Sequence, residues 1–128
     1  MSTSTKPVPR IHVIDGYVAN HDNYLRMLQH LLERKDADVQ LYADHIAYFN
    51  AVRPDQLPHV LIMGNVQIGM TGLELAAKMR REDFAGKIFI FTGALFVEKT
   101  KDVDGVFYKP GDFRPLAEAV NLALQTLA

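Results

Sequence analysis

From Ile11 onward, short and mostly apolar runs alternate with stretches whose apolar residues recur every three or four positions. The runs are Ile11–Ile14 (IHVI), Val39–Ala43, Val60–Met63 (VLIM), Ile88–Phe91 (IFIF) and Val106–Tyr108. They are strand-length, and their continuity points to strands of a parallel sheet covered on both faces. The first periodic stretch, about Asn20–Lys35, places Tyr24, Leu25, Leu28, Leu31 and Leu32 on one helix face. Asp44 is placed to cap a second helix, which runs to about Arg53 and is stopped by Pro54 and Pro58. Thr71-Gly-Leu-Glu74 has the pattern of a capping box and opens a helix to about Glu82. A weak segment covers Leu95–Val103, and a last helix covers about Phe113–Leu127, with Pro115 in its first turn. Five strands and five helical segments in strict alternation predict one doubly wound α/β domain over residues 11–128. Residues 1–10, small and polar with two prolines, predict a flexible tail. Such a domain carries its functional surface at the carboxyl ends of its strands.

Composition narrows the chemistry. A chain of 128 residues, 48% hydrophobic and 23% charged, fits one ordered domain. The lack of cysteine excludes a disulfide framework, a thiolate zinc site and a cysteine nucleophile. A net charge of −1 gives no electrostatic footprint for nucleic acid or an anionic membrane. The apolar runs are too short to span a bilayer, and the N-terminus lacks the pattern of a signal peptide, so a cytoplasmic protein is expected. The five histidines (12, 21, 30, 45, 59) show no metal-ligand spacing. Met63, Met70 and Met79 are expected in the core, and Glu98–Asp102 on a solvated helix face. There is no G-x-G-x-x-G, and the loop after the first strand (DGYVANHDN) lacks a Ser/Thr/Gly-rich phosphate cradle, which argues against dinucleotide and flavin sites.

The strand ends, read in order, are Asp15-Gly16, Gly64, Thr92 and Lys109-Pro110. Together with PHVLIMGNVQIGMTGLELAAKMR (Pro58–Arg80), this pattern resembles the receiver (CheY-like) domain of bacterial response regulators over almost the whole chain. The resemblance implies a flavodoxin-like strand order of 2-1-3-4-5 and a role in two-component, phosphorelay-type signal transduction. It also marks departures. The phosphoacceptor aspartate position is Gly64, and one of the family's metal-binding acids is Gly16. Of the acidic set only Asp15 remains, with the carbonyl of Val66 at the family's backbone-ligand position. Magnesium is normally anchored by carboxylates and phosphoryl transfer needs a nucleophile, so neither a metal site nor phosphorylation is expected, and no cofactor. Asp15, Thr92 and Lys109 form the residual pocket, in which Asp15 and Lys109 are expected to pair directly or through Thr92 and water. Val106 stands where the family has its switch aromatic, and Ile68 replaces a loop proline. The 17-residue span from Thr92 to Lys109 predicts a shortened or irregular fourth helix.

The expected function is a degenerate, phosphorylation-independent pseudo-receiver. It would be non-enzymatic and would bind a protein partner: a kinase, a scaffold or a second copy of itself. The candidate interaction surface is Leu95, Phe96, Val97, Phe107 and Tyr108 with the last helix. The first three alternatively just cover the sheet. The other expectation is a receiver-like domain that senses a small molecule at the vacated acidic pocket.

Overall fold

The computed structural model describes residues 8–16, 21–67 and 69–126. Most of the expected tail (residues 1–7), Ile68, and the expected helix limits Asn20 and Leu127 lie outside the described residues. In chain order the elements are β1 (Arg10–Ile14), α1 (His21–Leu31), β2 (Asp38–Tyr42), α2 (His45–Ala51), β3 (Val60–Met63), β4 (Val66–Gln67), β5 (Met70–Thr71), α3 (Gly72–Arg81), β6 (Lys87–Thr92), β7 (Gly105–Tyr108) and α4 (Phe113–Leu124). A one-turn 3-10 helix at Pro54–Gln56 follows α2.

Five strands form a parallel sheet in the order β2-β1-β3-β6-β7, the expected 2-1-3-4-5 when only these five are numbered. Alternate residues of the central strands feed two apolar layers. Ile11, Val13, Val60, Ile62, Phe89 and Phe91 pack with Leu28 of α1 and Leu116, Val120 and Leu124 of α4. Ile14, Leu61, Met63, Ile88 and Ile90 pack on the other face with Tyr48 of α2 and Leu75, Ala76 and Met79 of α3. Each layer buries a helix stripe against a sheet face, which is why the apolar strand runs are continuous.

The local signals act as read. The Asp44 carboxylate accepts the Ala47 amide at 2.7 Å and starts α2. At α3, Thr71 Oγ1 accepts the Glu74 amide at 3.1 Å while the Thr71 amide donates to Glu74 Oε1 at 2.8 Å. Both bonds of the capping box are therefore made.

Two expectations change, and one element is new. Pro9 and Arg10 belong to the fold rather than to a tail: Pro9 is buried and its carbonyl accepts the Asp38 amide at 2.8 Å, extending the β1–β2 ladder. The antiparallel ribbon β4–β5 went unread because each of its strands has only two residues. Most consequentially, residues 93–104 contain no helix. Only twelve residues lead from the end of β6 to the start of β7, and Gly93, Val97, Thr100 and Val103 are weak helix formers. The segment covers the sheet in irregular form instead, burying Val97 and Val103.

Arg80 of α3 fastens it. Its guanidinium donates to the carbonyls of Asp102, Phe84 and Gly86 at 2.8–3.0 Å and to Asp104 Oδ2 at 3.0 Å. The same Asp104 oxygen accepts the Ile88 amide at 2.9 Å. No helix among the described residues is long and apolar enough to cross a membrane.

Candidate functional site

The carboxyl ends of β1, β3, β6 and β7 converge on one edge of the sheet. Asp15, directly after β1, is 3% exposed, and its amide donates to the Tyr42 carbonyl. Lys109, directly after β7, is held by its amide on the Thr92 carbonyl at 2.8 Å. Its Nζ donates to Asp15 Oδ2 at 2.6 Å and lies 5.5 Å from the centre of the Phe91 ring. The bond is direct, so Thr92 is not its bridge. The Thr92 hydroxyl turns into its own loop and accepts the Ala94 amide at 3.0 Å.

Gly64 faces this pair. Its amide donates to the Ile14 carbonyl, and a Cβ built on it would lie 3.5 Å from Asp15 Oδ1 and 3.6 Å from Asp15 Cγ. That is ordinary contact, and the backbone at 64 is not left-handed, so neither turn geometry nor close packing demands glycine there. Gly16 differs. A Cβ there would meet the Ala43 carbonyl oxygen at 2.6 Å, a backbone atom that cannot swing aside. Glycine at 16 is a packing requirement of this backbone.

The donor set therefore does not suit the divalent ion that the resemblance implies. Among the described residues at this edge the carboxylate is Asp15, already charge-paired with Lys109, and Gly16 and Gly64 bring no side-chain oxygen. No group of three acidic, histidine or cysteine side chains that could hold a metal occurs among the described residues.

Two polar atoms near the strand ends were not foreseen. The Tyr24 hydroxyl is buried without a hydrogen-bond partner among the described residues, and so is Asn65 Oδ1, one residue past Gly64. Burial, then the nearby Asp15 charge, pushes the Tyr24 phenol well above its usual range, so it stays protonated. Tyr24 occupies a stripe position on α1 and stacks edge-on with Phe91 and Phe113, so its sequence signal was that of a core residue.

The candidate interaction residues separate. Leu95 is fully exposed and Phe96 is 76% exposed, whereas Val97 is buried and leaves the surface set. Phe107 turns to the α1–α4 layer and packs edge-on with Phe89 at 5.8 Å. Val106 packs on the α2–α3 layer. Tyr108 is half-buried, and its hydroxyl accepts the Val97 amide at 3.0 Å and donates to the Val97 carbonyl at 3.3 Å. It pins the segment that presents Leu95 and Phe96.

A parallel doubly wound sheet of order 2-1-3-4-5 is a flavodoxin/CheY-like architecture, and similarity to solved structures agrees. The signal receiver domain of a DNA-binding response regulator from Colwellia psychrerythraea 34H superimposes with a TM-score of 0.76, at 16% identity, over 92% of this chain and 99% of that one. A LuxR-family DNA-binding response regulator from Staphylococcus aureus gives 0.74, at 16% identity, over 91% and 98%. The response regulator TrrA from Thermotoga maritima, in complex with Mg²⁺-BeF, gives 0.69, at 20% identity, over 91% and 100%. The chain thus has the CheY-like receiver fold. In sequence, no family profile and no curated protein matches it.

Proposed function

We propose that this chain is a pseudo-receiver: a non-catalytic, phosphorylation-independent protein-interaction module of two-component-type signalling, acting in the cytoplasm. The observation that carries the reading is the contact set around Asp15. At the acceptor position, Gly64 presents no side chain toward a carboxylate that Lys109 already neutralises at 2.6 Å. Phosphoryl transfer relies on a nucleophile and on charge neutralisation by a metal, and the residues here supply neither. What remains for signalling is contact. Leu95 and Phe96 are large apolar side chains held out on a segment that Tyr108 and Arg80 fix from beneath. A kinase, a scaffold or a second copy of the chain is the partner class. The small-molecule reading has less support: the Asp15 carboxylate at this site is already closed onto Lys109.

Incubation with radiolabelled acetyl phosphate should leave no acid-labile label on the protein. Labelling lost on replacing any single acid would overturn the proposal. Phe96→Glu should abolish partner capture or self-association without lowering the melting temperature. Full retention of both would remove this surface from the reading.

A further inference from the structure

Away from the strand-end pocket, α1 and α4 lie side by side against the first core layer. Asn121 of α4 clasps the end of α1, donating from Nδ2 to the Leu31 carbonyl at 3.0 Å and accepting the Glu33 amide at 2.8 Å. A cleft of about 400 Å³ opens between the two helices, within the size range of small-ligand sites. Its apolar part is Met27, 49% exposed, and Leu31. The rest of its wall is Asn23, Arg26, His30 and Arg114.

Two of the wall residues are arginines, Arg26 on α1 and Arg114 on α4. Arg34, Arg53 and Arg80 each close an ion pair. Arg26 and Arg114, like Arg10 and Arg81, close none among the described residues, although Asp22 and Glu118 stand at i, i+4 spacing from them. Arg114 is also the second residue of α4, where the helix macrodipole disfavours a cation. No ion pair among the described residues therefore occupies either guanidinium. Two guanidinium forks bordering an apolar cleft match an oxyanion attached to an apolar body.

We propose that the α1–α4 cleft binds a small organic anion, a phosphate or carboxylate carried on an apolar group. The site is separate from the Asp15–Lys109 pair, and it stands or falls independently of the pseudo-receiver reading.

The test is an amide-resonance NMR titration of the full chain with phenyl phosphate, phenylacetate, inorganic phosphate and benzyl alcohol. Saturable shifts at Asn23, Met27, Leu31 and Arg114 are expected with one or both aryl anions, and whichever binds tighter identifies the anionic group. Inorganic phosphate and benzyl alcohol, each carrying half of the chemistry, should bind at least about tenfold more weakly. The double variant Arg26→Gln/Arg114→Gln should weaken the aryl anion by about tenfold or more with an unchanged melting temperature. If that variant is unstable, Arg26→Gln alone provides the comparison. An equal response to inorganic phosphate, failure to saturate at millimolar concentration, or undiminished binding by the variants would overturn the proposal.

Discussion

At the scale of single residues, two glycines at neighbouring strand ends have different physical reasons to be there, and alanine substitution separates them. Gly64 has room for a Cβ at ordinary contact distance and a backbone any residue adopts. Gly64→Ala should therefore leave stability unchanged or raise it by about 0.5 kcal/mol through the unfolded chain. Gly16→Ala forces a Cβ onto the Ala43 carbonyl and should cost about 1–3 kcal/mol. Urea unfolding checks both. His12 supplies a second prediction. It is 4% exposed, shares a 2.8 Å hydrogen bond with the Tyr48 hydroxyl and sits edge-on to Tyr42 and Tyr48. Burial, reinforced by the Arg10 charge and opposed by Asp38, brings its pKa down from 6.5 to about 4. Between those values the unfolded chain holds more protons than the folded one, so stability falls as pH drops through that window. From pH 7 to pH 5 the loss from this group is about 2 kcal/mol. His12→Gln should lose that much less over the same interval. His59, lowered by burial and by Arg10, contributes with the same sign in both proteins.

At the scale of elements, the segment between β6 and β7 shows how an irregular stretch substitutes for a helix. Its Asp102 carbonyl and its Asp104 carboxylate are gathered by one half-buried guanidinium, while Tyr108 holds Val97 by both backbone groups. Arg80→Ala should destabilise the protein by about 3 kcal/mol, since it strips a charged donor from partly buried acceptors. Tyr108→Phe should cost about 1 kcal/mol and raise hydrogen exchange most at the Val97 amide. Equal protection of Val97 in both proteins would show that the segment holds itself. These anchors also mark the limit of what the chain reveals before it folds. The strands and the caps at Asp44 and Thr71 were readable because their signals are local: apolar continuity, or an oxygen three residues ahead of an amide. The partnership of Arg80 with Asp104, 24 residues on, has no local signature. Which of Leu95, Phe96 and Val97 would cover the sheet was likewise not legible, since the contact that fixes the Val97 backbone comes from a tyrosine 11 positions away. At the strand ends, the order of Asp15, Gly64, Thr92 and Lys109 was legible because the topology carries those positions to one edge. The Tyr24 hydroxyl, buried without a partner among the described residues, was not, because its ring packs like any core aromatic.

For the molecule as a whole, the question is whether stability responds to a divalent cation, and a single substitution makes the answer two-sided. Among the described residues at the strand ends, wild type offers the Asp15 carboxylate, whose charge Lys109 already meets at 2.6 Å. Gly64→Asp would add a second carboxylate on a Cβ that starts 3.5 Å from the first. Two such charges at about 4 Å repel by roughly 4 kcal/mol at an effective dielectric of 20, more than one lysine shared between them comfortably relieves. The variant should melt lower than wild type without added cation, and magnesium should recover part of the difference. A site with a dissociation constant of about 1 mM stabilises by about 1.4 kcal/mol at 10 mM ion, a shift of several degrees for a domain of this size. The wild-type melting temperature should not move under the same conditions. A rise in wild type equal to that of the variant would mean that carbonyl and water ligands suffice around Asp15, and the electrostatic account of the Asp15–Lys109 pair would fail with it.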